Sequence, residues 1–577
     1  MSSPAAAVRG TEQRWRRSVA PALAIIQAVI VLGPALGPGI VIRYDMAWSP
    51  DPRWTDFVLG WDTPAPRAVP SDAAAVLLGT VTGASAAQSI ILTAILAAVG
   101  VGAARLLTIL DPGIGAAGQS AAVTAAVWNP FVHERLLVGH WTVLLALAIL
   151  PWALGAVVRL ARDGTGGPAL YACLVLAGAG GANTVVVVGI AILPTLLVAA
   201  IRTAEARPAL GWTLLITLGM SAVWAAPALT AGAVATSDSV EAFSPVPDSP
   251  LGVVASVLSG GGFWNEATHP SSRQVWVVAV GALILMLAGA AALAWRLRPS
   301  DRPVILLGLI VPITLVVLSA TPQLQGLWSS VVTGIPGGGL LRDSHKLSAA
   351  WVLLSAVGLG VLSDAAIRRC SGRAGPLVGL VILAPIALNP LLAWGAAGQL
   401  AAVTVPPEYR SAVASVNALP PGDIGLVPWN QYRRYGWNSD RVSLTLFPRL
   451  VDRTVVYNDE LPLRSGTIPG ESERAAAIEA QRSTGDSDVA ALVSSNEVRY
   501  IAIERDSMGG HQEIDLAALP STSSVVVDEA ALLVIDLGPT ERAGASRAMP
   551  VLVGWSLTLS TTLAVGFGLA WRRALRV

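Results

Sequence analysis

Residues 168–201 read PALYACLVLAGAGGANTVVVVGIAILPTLLVAAI, without one Asp, Glu, Lys or Arg. A helix needs about 20 apolar residues to cross the hydrocarbon core of a bilayer, so this run exceeds one span and falls short of two. Gly180-Gly181-Ala182-Asn183 inside it is a turn signal. Splitting there gives spans near 167–182 and 183–201. Read as one tilted helix, the run would place every later segment on the opposite side of the membrane.

Outward from this stretch the chain keeps the same character. Its 577 residues are 53% hydrophobic and 13% charged, with a mean hydropathy of +0.62. Soluble domains carry about 25% charged residues, so a disordered chain and an ordinary soluble enzyme are both excluded. The net charge of +1 offers no field for nucleic acid, and no nucleic-acid partner is expected. Two cysteines, Cys173 and Cys370, exclude a disulfide framework and a cysteine-built metal site.

Apolar windows fall near 18–40, 86–108, 114–129, 141–160, 167–182, 183–201, 209–230, 274–296, 303–320, 346–367, 375–396 and 549–571. The fold expected is an α-helical polytopic membrane protein of about 12 transmembrane helices. Segments sharing a side with the N-terminus hold Arg14, Arg16, Arg105, Arg162, Arg296, Arg368 and Arg572 among many arginines and few acids. The positive-inside rule makes that side cytoplasmic, with both termini on it and the chain multi-pass in the plasma membrane. The first window continues through Pro34 and Pro38 with no small-residue cleavage site and reads as a retained helix.

The opposite face collects the five histidines and most acids. The expected division is a transmembrane core over 1–396 with outer loops 41–85, 231–273 and 321–345. An extracytoplasmic α/β domain over 397–547 follows, then a transmembrane helix and cytoplasmic tail over 548–577. Within the outer domain, 424–429, 454–457 and 499–504 read as strands and 471–481 and 488–495 as helices. Segments 525–527 and 531–537 read as a closing hairpin. No internal repeat is evident.

Three short clusters in the outer loops carry the candidate ionisable side chains. The first is Arg43-Tyr44-Asp45-Met46-Ala47-Trp48, an acid just past a helix end. Asp45 is either partly desolvated there or paired with Arg43 or Arg53; a helix end in an aromatic belt is the plainer account. The second is Asn129-Pro130-Phe131-Val132-His133-Glu134-Arg135, continuing to Gly139-His140-Trp141. So many polar groups between apolar helices are costly unless they face a cavity or one another. A Glu134–Arg135 salt bridge would satisfy them without function. His133, Glu134 and His140 lack the H-E-x-x-H spacing, so a divalent metal is unsupported and no cofactor is expected. The third is Gly337-Gly338-Gly339-Leu340-Leu341-Arg342-Asp343-Ser344-His345-Lys346, containing the only lysine of the chain. Glycines followed by Arg342, His345 and Lys346 at a helix start suit an anion such as phosphate, against a plain turn with snorkelling cations.

Together the clusters suit glycosyl transfer from a lipid phosphate at a membrane surface: a carboxylate, Asp45 or Glu134, removes a hydroxyl proton, and cations receive the departing phosphate. The arrangement resembles the GT-C class of integral membrane glycosyltransferases. Tyr44-Asp45-Met46, Asn129-Pro130-Phe131 with Glu134-Arg135-Leu136 and Gly139-His140-Trp141, and Leu340-Leu341-Arg342-Asp343 with Lys346 resemble an actinobacterial group related to that class. Pro428-Trp429, Tyr432-Arg433 and Trp437-Asn438 fit as well. The resemblance implies Asp45 as the base, and Tyr44, His133, Arg135, His140 and Trp141 join the expected substrate-binding set. It also implies a polyprenyl-phosphate sugar donor, such as decaprenyl-phosphate arabinose or polyprenyl-phosphate mannose, and a cell-envelope glycan or glycolipid acceptor. The first loop lacks the Asp-Asp or Asp-Glu pair of metal-dependent oligosaccharyltransferases. Trp429, Tyr432, Tyr435 and Trp437, with Arg433 and Arg434, offer either stacking faces for glycan or the core of the small domain. A transporter or flippase of an anionic lipid-linked substrate and a non-catalytic scaffold of cell-wall assembly are the competing classes. Asp45→Asn separates them.

Overall fold

The computed structural model describes residues 4–574 apart from 62–67, 232–235, 371–374, 464–465, 483–491, 494, 496, 509–518 and 540–547. The sequence-expected helix 488–495 and His511 lie wholly or mostly outside the described residues. Among these, nine helices are long and apolar enough to cross a membrane, or ten if the pair Gly375–Leu388 and Pro390–Ala397, bent by 64°, counts as one span.

Ten of the twelve expected windows coincide with these helices. The other two correct the expected number. Window 114–129 forms Ala116–Val127, of 12 residues, and 167–182 forms Gly167–Ala179, of 13. At 1.5 Å per residue these reach about 18–20 Å, short of the roughly 30 Å hydrocarbon core. The reasons are local. Asn129 accepts a hydrogen bond from the Val132 amide and caps a new helix with Pro130 in its first turn, which ends the preceding one. At 180–181 the long apolar run does break: Gly181 takes φ +79°, a conformation that favours glycine, and Ala182–Arg202 starts anew. Gly178 serves packing, since a Cβ there would lie 2.5 Å from Met220 on the neighbouring helix.

One end of the bundle is fastened by arginine–carboxylate pairs. Arg162 grips Asp301 through two N–H groups at 2.8 and 2.5 Å, and Arg296 meets Asp111 at 2.9 Å. Arg368 reaches both Asp111 and Asp364. The side chains expected to share the arginine-rich face therefore do meet one another.

At the other end sits a small sheet domain. Its five strands lie in the order Ser524–Asp528, Leu532–Asp536, Tyr500–Glu504, Ile424–Val427, Val455–Val456. The first three are antiparallel, the last three parallel. Strand alternation divides the buried residues between two faces. Ile501, Ile503 and Ile535 pack with Ile478 of the helix Glu473–Arg482. Tyr500, Ala502 and Val534 join Tyr409 and Val416 of Pro407–Asn417 and, through them, the helical core.

The sheet domain is stitched to the first loop. That loop forms a hairpin, Ile42–Arg43 against Met46–Ala47, with Tyr44 and Asp45 as its turn. The Tyr44 amide donates to Val442 O at 2.6 Å, and the Leu444 amide donates back to Tyr44 O at 2.9 Å. Asn438 Nδ2 adds a bond to Ile42 O, and Arg449 pairs with Asp72.

Candidate functional site

The three sequence clusters converge at this junction. Tyr44 occupies the first central position of the hairpin turn with φ +44°, a conformation that costs a non-glycine residue about 1–3 kcal/mol. Its bonds to the 442–444 strand hold it there, and the Asp45 amide donates to Val138 O at 3.0 Å. The hairpin comes this close because Gly139 has no side chain: a Cβ there would sit 2.2 Å from Met46 N and 2.9 Å from Arg43 O. Gly139, at φ +85°, also turns the chain so that His140 points back at the hairpin.

His140 Nε2 lies 2.9 Å from Asp45 Oδ2, and Tyr432 of the sheet domain donates its hydroxyl to Asp45 Oδ1 at 3.4 Å. The Asp45 side chain keeps 38% of its surface exposed. Neither arginine proposed from sequence pairs with it. Arg43 donates to Leu137 O and Gln399 Oε1, while Arg53 faces Asp452. Trp141, mostly buried, packs on Trp48 with ring centres 5.9 Å apart.

Behind His140 lies Arg135, fully buried. Its Nη1 reaches His140 Nδ1 and Asp343 Oδ2, both at 2.7 Å, and its Nη2 reaches Asp343 Oδ1 at 3.1 Å and His345 Nδ1 at 3.0 Å. Phe263 covers the guanidinium face at 4.2 Å. Burial alone would raise the Asp343 pKa, but the Arg135 cation and its paired hydrogen bonds hold it below the usual carboxylate range. Arg135 therefore pairs with Asp343 and not with Glu134, which corrects the self-contained salt bridge.

Glu134 and His133 turn into a sealed compartment. No N–H or O–H donor reaches either Glu134 oxygen and His345 Nε2 is 3.9 Å away; the Asp248 carboxylate is the group a protonated Glu134 donates to. Burial, with the nearby Asp248 carboxylate next, raises the Glu134 pKa well above its ordinary value. Asp248 is itself held ionised: burial opposes this, but Arg273 grips both its oxygens. His133 is pushed down to about 3 by burial and then by the Arg273 and Arg43 cations, so it is neutral. No contact among the described residues brings Glu134 to Asp45.

The expected anion trio is not gathered on one open surface. His345 is interior, its Nε2 within 3.0 Å of Gly261 O. Lys346 is interior too, donating to Asn183 Oδ1 at 2.6 Å and to Leu340 O. Arg342 alone keeps exposure, 24% of its side chain, beside Glu471 and over the Phe243 ring. Among the described residues no group of three or more His, Cys, Asp or Glu side chains is placed to hold a metal ion.

The aromatic set splits. Trp429 and Tyr435 are buried, and Arg433 pairs with buried Glu504, which also accepts from Tyr409 and Tyr435. These form the domain's core. Tyr432 alone of the six makes a contact with Asp45.

The whole architecture is similar to that of an arabinofuranosyltransferase. The cryo-EM structure of AftD from Mycobacteria matches with a TM-score of 0.56 at 15% identity, over 92% of this chain and 40% of that one. A mutant form of the same enzyme matches with a TM-score of 0.57 at 16% identity, over 92% and 42%. The chain thus spans about two-fifths of the length of these structures. At such identity the likeness establishes the fold: a polytopic membrane core carrying a small sheet domain. No protein-family model and no curated protein matches.

Sequence reasoning passed over Asp343, Asp248, Arg273 and Phe263, and gave Tyr432 a different part. Asp343 stood inside a quoted motif, where its cationic neighbours drew attention instead. Arg273 and Asp248 left a fainter signal, an arginine and an acid in one loop between apolar windows.

Proposed function

We propose that the chain is a GT-C-class membrane glycosyltransferase of cell-envelope biosynthesis. It takes a sugar from a polyprenyl-phosphate donor, and arabinofuranose is the first sugar to try given the likeness to AftD. The acceptor is an envelope glycan or glycolipid. The sheet domain lies outside the plasma membrane, with both termini in the cytoplasm.

The observation that carries this reading is Asp45. It is a carboxylate held at a strained turn where the helical core meets the sheet domain, fixed by His140 and open on one side. In the reaction, the acceptor hydroxyl attacks the anomeric carbon and passes its proton to Asp45. The bond from that carbon to the phosphate oxygen breaks, its electron pair leaving on the phosphate. Arg342, the exposed cation of the third cluster, is the residue assigned to the leaving phosphate. Lys346 and His345 support the loop that carries it through Leu340 O, Asn183 and Arg135. Neither a transporter nor a scaffold requires an exposed carboxylate held this way.

The test is transfer from radiolabelled decaprenyl-phosphate arabinofuranose to endogenous acceptor in membranes expressing wild type or Asp45→Asn. Transfer by wild type, lost in Asp45→Asn while Tm is kept, is the expected result. Equal envelope glycans and equal labelling in both would overturn the reading.

A further inference from the structure

Arg135 offers only donors, because a guanidinium has no lone pair to accept with. Two of its Nη hydrogens are taken by Asp343, at 2.7 and 3.1 Å. The other two point at the Nδ1 atoms of His140 and His345, at 2.7 and 3.0 Å. Each Nδ1 must then be the accepting nitrogen of a neutral imidazole, which leaves its proton on Nε2. The partners found at the two Nε2 atoms are both acceptors: Gly261 O for His345 and Asp45 Oδ2 for His140. One buried guanidinium therefore dictates the proton position on two rings.

We infer that Arg135 is a positioning residue that locks His140 in its Nε2–H tautomer, so that Asp45 Oδ2 is occupied by an N–H and Oδ1 is the oxygen that accepts the substrate proton. This rests on Asp45 as the base proposed above. Without the lock His140 could carry its proton on Nδ1 and present a lone pair to the carboxylate, and the two would repel. With it, Asp45 is oriented through Oδ2, and Oδ1 is left with the longer, 3.4 Å contact from Tyr432. The Tyr432 hydroxyl, 3.4 Å from Oδ1, marks where an acceptor hydroxyl would approach, and an incoming sugar displaces or joins it there. The proton moves from acceptor oxygen to Oδ1; none enters or leaves His140. The histidine is thus an orienting group and not a proton shuttle.

The experiment is nitrogen NMR on the full chain labelled with [15N]histidine in lipid nanodiscs, with His140 assigned by the signals missing from His140→Gln. The expected spectrum has Nε2 in the protonated and Nδ1 in the unprotonated region. An imidazolium or an Nδ1–H pattern for His140 overturns the inference from wild type alone, whatever the variants do. Arg135→Gln, or Arg135→Met if the first does not fold, is expected to replace the single tautomer by exchange-averaged or doubled signals. A single Nε2–H tautomer persisting in a folded Arg135 variant also overturns it. The spectra need no substrate, so the lock fails or stands independently of whether the chain transfers sugar. If transfer is observed, His140→Gln, whose amide can both accept from Arg135 and donate to Asp45, should keep at least ten-fold more kcat than His140→Leu. Equal losses would show that the tautomer has no part in orienting Asp45.

Discussion

Asp45 and Glu134 entered as two acids of one reaction, and their surroundings could hardly differ more. Asp45 is 38% exposed and has a partner on each oxygen. Glu134 is fully buried with no donor on either oxygen and the Asp248 carboxylate beside it. A buried carboxyl without donors is neutral, because ionising it would leave a charge with no compensation. Proximity in sequence to a motif therefore says less about chemistry than which way one turn of helix faces.

Four measurements test this contrast. The largest effect belongs to Asp45→Asn, which should reduce transfer about 10²–10⁴-fold, the usual range for a general base, with thermal stability kept. Next is Arg135→Ala. It strands the Asp343 carboxylate in the interior, and losing one partner of a buried pair costs about 3–5 kcal/mol; denaturation in mild detergent should show it, with the folded fraction falling first around the first-loop hairpin.

Gly139→Ala comes third. A side chain at φ +85° pressing on Met46 N and Arg43 O should cost about 1–3 kcal/mol and displace Asp45 from His140. Activity should fall further than stability, which a paired kcat and Tm measurement would reveal. Glu134→Gln should do least to transfer, and its signature is in pH. Folded Glu134 keeps its proton above the ordinary value of 4.5, where the unfolded chain has released it. The native state then binds more protons, so wild-type stability falls as pH rises from there to the raised value. Glutamine does not titrate. The Tm of Glu134→Gln relative to wild type should therefore climb over that window and be flat below it; a flat difference throughout would mean Glu134 is ionised in the fold.

Much of the architecture was legible because it follows from composition and period. Apolar length located ten helices, and the Gly180-Gly181 break was readable since glycine and a left-handed turn go together. The sheet strands near 424, 455, 500, 525 and 532 were readable from β-branched runs between turns. The windows at 114–129 and 167–182 misled because hydropathy counts apolar residues and not where a cap starts the next helix. Around the site, the three clusters were visible as ionisable residues crowded into short loops between apolar windows. Their wiring was not. That Arg135 takes Asp343 over its neighbour Glu134 depends on how helices 130–137 and 348–370 lie against one another, which no local pattern encodes. The lone Lys346 was conspicuous, but rarity in composition carries no information on burial.

The hairpin turn at Tyr44 has a consequence in time. Its backbone partners are Val442 and Leu444, and Asp45 meets Tyr432 across a separation of 387 residues. At a synthesis rate of about 5–20 residues per second, the loop emerges roughly 20–80 s before the strand that holds its strained turn. Through that interval the nascent protein has its membrane helices and His140 beside Asp45, but not the strand that pins the Tyr44 turn. The chain carries its own delay, and the Tyr44 turn receives its last backbone partners only after the sheet domain has been made.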